Sequence, residues 1–355
     1  MEWKFRKDFK VMPGIFLKYG NGEIQTQIKP FTTDKEFETE KLKHELFKPY
    51  EPQHEIKSAS VDKLTSTELH DFKALLLASD KTFSETNSLL TSKTTVLNDH
   101  SQKLNKLKKS FFKFLFKKKI YLMEQELPLL IEEVDELKEQ LQYSSIKLEI
   151  ESEDSFSDLY KNLRKAFNLL FGSQKKWDFT SSRRTNRIAE RTSAANTITR
   201  SEISISEKQL PILKADMPAL CFHNINGGDL YLYPGFLIVY ESKVDFAVIS
   251  YTDLKVEFIQ VRFIESEKVP SDTKTIDNTW FKVNKDGSPD KRFSNNYQIP
   301  IVAYGELQMS SSSGLNEVYC FSNVELAMLF QKALLDYTEA IYKSQALLKE
   351  FKNRG

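Results

Sequence analysis

Cysteine is almost absent: Cys221 and Cys320 are the only two in 355 residues. That excludes a disulfide framework and suits a reducing compartment, so the chain reads as a cytoplasmic protein. Glycine is scarce as well, with 11 residues, and none falls between Val61 and Tyr143, where Pro128 is the single proline. Such a stretch has few natural stops and favours long helices. No apolar run approaches the roughly 18 residues of a membrane span, and the opening MEWKFRKDFK lacks the apolar core of a secretion signal. An excess of either charge is missing too: 51 basic residues face 50 acidic ones, for a net charge of +1. The chain as a whole exerts no pull on nucleic acid or anionic lipid, so any electrostatic role depends on local segregation.

Motifs of catalysis are also missing. The sequence has no Gly-x-x-x-x-Gly-Lys-Ser/Thr loop, no Gly-x-Gly-x-x-Gly, no His-Glu-x-x-His and no Gly-x-Ser-x-Gly. His44, His54, His70, His100 and His223 are scattered, and no stretch offers a base, a nucleophile and an orienter together. Catalysis therefore has no positive support, and no cofactor is expected.

What is present predicts an α+β chain in five parts. Residues 1–30 alternate as strands do, through Trp3, Phe5, Ile15, Leu17, Tyr19, Ile24, Thr26 and Ile28, with Gly20-Asn21-Gly22 closing a hairpin. This small β unit needs support from elsewhere. Residues 31–60, near Pro30, Pro49 and Pro52, read as a linker with a short helix around Phe37–Phe47. Residues 61–145 read as a helical hairpin or coiled coil. Thr65-Ser-Thr-Glu68 has the form of a capping box, and Leu69, Leu76, Phe83, Leu90, Leu97, Leu104 and Phe111 recur every seven residues as a seam. Leu127, Leu130, Val134, Leu137 and Leu141 mark a second helix that restarts near Pro128. An antiparallel hairpin is the simplest arrangement, and a rod kinked at Pro128 is the alternative.

Residues 146–201 read as a short strand, a helix stopped by Gly172 and a basic connector. Residues 202–355 are dominated by β signals, among them LYLYPGFLIVY, FAVISYTDL, VEFIQVRFI, TWFKV, QIPIVAYGELQM and NEVYCF. Ser322-Asn-Val-Glu325 then opens a long closing helix. About six antiparallel strands ended by one amphipathic helix resemble the pleckstrin-homology-like fold, which implies a barrel plugged by that helix. The opening Trp3-Lys-Phe-Arg-Lys7, Phe9-Lys10 and Pro13-Gly14-Ile15 resembles a short bacterial N-terminal domain family of unknown function, although Gly20-Asn21-Gly22 departs from its Ser-Gly turn. The segments around Val269-Pro-Ser-Asp272, Trp280, Asn284–Phe293 and Ser311–Asn316 are similar to the tails of larger proteins carrying that unit. The resemblance implies a bacterial, modular, non-secreted protein and assigns no activity.

Four local patterns stand out as candidate sites. In KLNKLKKSFFKFLFKKK, residues 103–119, Phe111, Phe112, Phe114, Leu115 and Phe116 sit among eight lysines and no acid. With the leucine seam they form the expected partner or self-association surface, and Glu124, Glu126, Glu132, Glu133, Asp135, Glu136 and Glu139 supply opposite charge nearby. A membrane surface is the weaker expectation for the same residues. Arg183, Arg184, Arg187 and Arg191, read as one helical face, and Lys291 and Arg292 are the candidate anion-binding groups for nucleic acid or phosphate. Asp286, Asp290 and Lys291 form a weak nuclease-like metal pattern beside the Asn284–Gly287 turn, and Ser310–Gly314 reads as a turn. Cys221, His223 and Cys320 lack a zinc knuckle, so no metal site is expected.

The expected function is that of a non-enzymatic interaction or scaffold protein acting through its helical arm, as a homo-oligomer or with a protein partner. Polar residues at Leu90 and Leu97 would then weaken assembly. The alternatives are a nucleic-acid or phosphate-binding module, and a nuclease-like effector of a phage-defence system.

Overall fold

A computed structural model of the chain describes residues 7–12, 15–19, 24–27, 55–144, 146–151, 154–215 and 217–353. Trp3, Phe5, Pro13-Gly14, the Gly20-Asn21-Gly22 turn, Pro30 and the helix expected at Phe37–Phe47 lie outside the described residues.

Three strands come first: β1 (Lys7–Met12), β2 (Ile15–Tyr19) and β3 (Ile24–Gln27). The helical segment contains α1 (Val61–Leu64), a 3-10 turn at Thr67–Leu69, α2 (His70–Lys109), a 3-10 turn at Lys113–Phe116 and α3 (Lys117–Tyr143). Then come β4 (Lys147–Glu151), α4 (Asp154–Phe171), β5 (Lys176–Arg184), α5 (Arg187–Glu190), β6 (Asn196–Glu202), β7 (Ile205–Lys208) and β8 (Lys214–Ala215). The remainder is β9 (Ala219–Phe222), β10 (Asp229–Tyr233), β11 (Phe236–Tyr240), β12 (Phe246–Ser250), β13 (Leu254–Ile264), β14 (Lys274–Trp280), β15 (Gln298–Ser311), β16 (Asn316–Phe321) and α6 (Val324–Asn353).

The chain is mixed α+β, built on two antiparallel sheets. One runs β12-β11-β10-β9-β7; the other runs β13-β15-β16-β5-β6, with β14 also paired to β15. No barrel closes among the described residues, which corrects the expected plugged barrel in its coarse geometry. One reason lies at β12. Its outer edge is already occupied, because Ser66 N–H donates to Val248 O at 3.0 Å and Ser250 N–H donates to Ser66 Oγ at 3.0 Å. The chain after β12 therefore joins the other sheet, where β13 pairs with β15 along eleven residues from Leu254 to Ile264.

The basic connector expected before residue 202 contributes two of the strands. β5 and β6 pair antiparallel, with Trp177 opposite Glu202, and β5 also pairs with β16 through Tyr319 opposite Asp178. On this sheet Trp177, Phe179, Val302, Tyr304, Val318 and Cys320 pack on one face with Ile56. Leu307, Met309, Tyr319 and Phe321 point the other way, into the main core. This is the period-two alternation of a sheet buried on both faces. α4 and α6 cover the main core, with Tyr160 against Tyr337 at 5.5 Å and Phe167 against Phe330 at 5.9 Å between ring centroids.

The hairpin expected between β2 and β3 is not a ladder among the described residues. β1 pairs antiparallel with β2, whereas β3 runs parallel to β4, which in turn runs parallel to β8. The N-terminal unit thus completes its hydrogen bonding on a strand that follows the arm. Strands this short need such a neighbour.

Candidate functional site

The most exposed apolar feature of the described residues is the end of the helical arm. Its root is fixed in the body. Leu69, Phe72 and Leu76 are buried in the main core, and the Phe72 ring meets Phe236 edge-on at 4.9 Å. Thr65 and Ser66, expected to cap a helix, are used differently: Val248 N–H donates to Thr65 Oγ1 and Ser250 N–H to Ser66 Oγ. Both hydroxyls satisfy the sheet edge, and α2 starts later, at His70. Ser79 Oγ donates to Ser144 O at 2.6 Å, tying the outgoing helix to the returning one. Beyond that tie, α2 runs about 45 Å at 1.5 Å per residue.

α2 and α3 pack as an antiparallel hairpin. Phe83, Leu90 and Leu97 are half-buried and Leu104 is buried on α2; Met123, Val134 and Leu137 are buried on α3, with Leu127, Leu130 and Leu141 half-buried. The seven-residue seam is therefore taken up by the body at Leu69 and Leu76 and by the hairpin from Phe83 to Leu104. Cross-hairpin ion pairs join Lys93 to Glu133 and Lys108 to Glu124 at 2.6 Å, and His100 Nε2 lies 3.1 Å from the Glu126 carboxylate. The second helix begins eleven residues before Pro128 and runs through it. Pro128 lies on the exposed side, where water can take the Glu124 carbonyl that loses its intrahelical donor.

At the tip the internal partners end. Phe111 is 90% exposed, Leu115 67%, Phe114 58%, Phe112 56% and Phe116 38%. Exposed tyrosine and leucine continue along α3 at Tyr121 and Leu122. A contiguous exposed cluster of this kind normally marks an interaction surface. Around it stand Lys103, Lys106, Lys109, Lys113, Lys117, Lys118 and Lys119, none of which makes an ion pair among the described residues. No acid falls between Lys103 and Lys119, and the carboxylates of α3 begin at Glu124, which pairs with Lys108, so the tip is basic and the α3 shaft acidic.

The candidate anion-binding groups come together at another corner, in a different form from the helical face expected. Arg183 and Arg184 end β5, Arg187 opens the four-residue α5, and Arg191 follows in a left-handed conformation with φ 54°. Polar, half-exposed strand faces hid the alternation that would have identified β5 and β6. Arg183 grips Glu190 through two bonds of 2.7 and 3.0 Å. Asp290, 1% exposed, is held by Arg191 and by Arg292, whose Nε and Nη2 donate at 2.9 and 2.8 Å. The Arg292 guanidinium foremost holds the Asp290 carboxyl far below its ordinary range. Only Arg184, Arg187 and Lys291 of the six remain exposed without an ion pair among the described residues. Glu190 and Asp290 thus engage three of the six cations, and the corner keeps a net positive charge. Asp290 is enclosed by arginines, and among the described residues no group of three or more His, Cys, Asp or Glu side chains could hold a metal ion. Asp286 instead accepts from Ser288 within the Asn284–Gly287 turn, where Gly287 has φ 86°. Cys221 and Cys320 are buried in two different core clusters, and His223 faces Asp229 at 3.9 Å.

One polar cluster was not expected from the sequence. Asp178 on β5 and Glu317 and Tyr319 on β16 are buried beside the loop His223–Gly228. Asp178 accepts from Ile225 N–H at 2.8 Å, and Ser58 Oγ donates to Glu317. Burial raises the Asp178 carboxyl above its usual range and pushes Glu317 up to about 7. The signal was Asp178 between Trp177 and Phe179, readable only once β5 is known to be a strand. A cavity of about 280 Å³ nearby is lined by Lys57, Ser58, Leu64, Gly227 and Glu241, among others, without a catalytic grouping. Compared with family models, curated proteins and solved structures, the chain matches none.

Proposed function

We propose that the chain is a non-enzymatic docking or scaffold protein whose helical arm carries a binding tip away from a two-sheet body. The observation that carries this reading is the exposure of five large apolar side chains among the six residues Phe111–Phe116, at the end of an arm that buries Leu104, Met123, Val134 and Leu137 between its own helices. A hairpin that packs its seam between its own helices has no folding reason to gather so many rings in water at its turn. Self-association through the tip, or capture of another partner there, meets the same need. The antiparallel strands closed by α6 support a distant pleckstrin-homology-like ancestry, in an opened form. The N-terminal resemblance and the two free cysteines support a cytoplasmic, bacterial setting. The anion-binding and nuclease-like readings draw less support, because Arg183 is already engaged by Glu190 and both Arg191 and Arg292 by Asp290.

A photo-crosslinking residue at Phe114, compared in living cells with one at the exposed shaft residue Glu85, tests the reading. Adducts concentrated at position 114 are expected. Equal adduct yield at both positions, together with unchanged mass in light scattering when the tip phenylalanines become serine, would remove it.

A further inference from the structure

We infer that the tip of the arm docks on an anionic lipid surface, inserting its rings among the acyl chains while its lysines meet the headgroups. The inference rests on the docking-arm reading and names the partner.

Shape is the first argument. The apolar residues sit at the turn that ends the hairpin, all of them exposed, and the Phe111 and Phe112 rings meet edge to face, 5.5 Å apart at 89°, as one projecting cluster. A rigid protein surface covers one side of such a projection. Fluid hydrocarbon can surround all of it. The segment from Ser110 to Phe116 is far too short to cross a bilayer, and no helix among the described residues is long and apolar enough to do so. Insertion must therefore stop at the interface, the depth at which amphipathic elements settle.

Charge is the second argument. Lys103, Lys106 and Lys109 at the end of α2 and Lys117, Lys118 and Lys119 at the start of α3 lie just behind the rings, with Lys113 among them. From there their methylenes can follow the apolar zone while the ammonium groups reach phosphate level. Farther back the sign reverses with Glu124, Glu126, Glu132, Glu133, Asp135, Glu136 and Glu139. A negative surface attracts the tip and repels the shaft, which orients the arm and limits its depth.

Composition decides between lipid and nucleic acid. All eight cations of residues 103–119 are lysines and none is arginine, so the planar fork that favours phosphate and base contacts is missing. Leu115, 67% exposed, has no stacking role on a base. Contact with a phosphate backbone would also leave the phenylalanines wet.

The test uses the full chain and flotation with vesicles of phosphatidylcholine alone or mixed three to one with phosphatidylglycerol. Binding to the anionic vesicles and little to the neutral ones is expected. The F111S/F112S/F114S variant and the K113E/K117E/K118E variant should each weaken it by about tenfold or more. These positions are exposed, so both variants should keep the parent's thermal unfolding midpoint. F114W should show a blue-shifted emission with anionic vesicles alone. Equal binding to both vesicle types, undiminished flotation of the serine variant, or binding of labelled duplex DNA that survives loss of the phenylalanines would overturn the inference. Failure with vesicles while position 114 still crosslinks to protein in cells sinks the lipid assignment and leaves the docking arm standing. Failure of both sinks the two together.

Discussion

The Ser58 hydroxyl donates a hydrogen bond to the Glu317 carboxylate across 259 positions of chain. Around it Ile56 N–H donates to Thr180 O, Asn226 Nδ2 to Ile56 O, Ala59 N–H to Gly314 O and Asn316 N–H to Ser58 Oγ. The segment just before the arm is thereby strapped over the second sheet. It fixes where the arm leaves the body, so its chemistry bears on how firmly the tip is presented.

That strap should be sensitive to pH. Burial is the main cause of the high Glu317 value, about 7; the Ser58 bond opposes it and the Asp178 charge adds to it. Burial likewise pushes Glu306 up to about 7, against the Gln308 bond. Because both folded values exceed the unfolded one of about 4.5, the folded chain holds protons that the unfolded chain has released. Their stabilising contribution is complete below that unfolded value and is lost as pH rises through about 7. Each shift corresponds to about 3 kcal/mol. Urea unfolding should therefore show lower stability at pH 8 than at pH 5, and Glu317→Gln, which can still accept from Ser58, should remove about half of that difference. An unchanged difference in the variant would disprove the assignment.

The arm was legible in the sequence because its signals are local. Absence of glycine, a seven-residue repeat from Leu69 and complementary charge on the return helix all fall within one continuous stretch. The sheets were legible where both faces are apolar, as in Phe236–Tyr240 and Phe246–Ser250, or where apolar and polar residues alternate cleanly, as at the start of β13. β5 escaped because Ser181, Arg183 and Arg184 obscure its alternation, and β6 because Thr197, Thr199 and Arg200 do the same. The parallel pairing of β3 with β4 escaped for another reason: it joins residues more than a hundred positions apart, and nothing local encodes a register of that kind. The tip residues were visible as a composition, but their exposure was not, since buried and solvated phenylalanines use the same letter.

Arg200 supplies a second prediction. Its guanidinium lies between the rings of Trp177 and Phe263, at 4.3 and 4.5 Å from the centroids, and its Nη2 donates to both oxygens of Glu265 at 2.9 and 2.8 Å. Glu265 is 1% exposed and also accepts from Tyr304 Oη at 2.6 Å. Arg200→Lys keeps the charge but loses the planar stacking between the two rings that aims Nη2 at Glu265, leaving a buried carboxylate short of a well-placed donor. A loss of about 3 kcal/mol in urea unfolding is expected. Arg183→Lys, whose pair with Glu190 is in solvent, should leave the unfolding curve unchanged. Equal effects of the two would contradict the role given to burial.

Gly305 provides a test of how α6 sits on the second sheet. A Cβ built there would lie 2.7 Å from the Ala327 Cβ and 3.2 Å from the Phe258 ring. Ala327 is fully buried and the Val324 Cα lies 3.3 Å from the same point, so the helix backbone would have to shift. Gly305→Ala should cost about 1–3 kcal/mol through overpacking, and hydrogen exchange should quicken first in α6. Restored protection in the double variant Gly305→Ala/Ala327→Gly would locate the conflict between these two atoms. Normal protection in the single variant would refute it.

Leu104 and Phe111, seven residues apart on the same sequence seam, should respond in opposite ways. Leu104 is 3% exposed against α3, whereas Phe111 is 90% exposed beyond the last helical turn. Removing the Leu104 side chain leaves a hole near the end of the arm, where few other buried residues share the load. Leu104→Ala should cost about 2–3 kcal/mol of local stability and raise amide exchange across residues 97–109. The root at Leu69–Leu76 should stay protected, because it belongs to the core of the body. Phe111→Ala should leave exchange in both regions unchanged, and the thermal midpoint should hold or rise slightly as an exposed ring is lost. If Leu104→Ala changed only the mass in solution and left exchange untouched, the seam would be bonded to another chain and not to its own return helix. If Phe111→Ala loosened the arm, the ring would be serving the fold, and its exposure would have a structural explanation in place of a functional one.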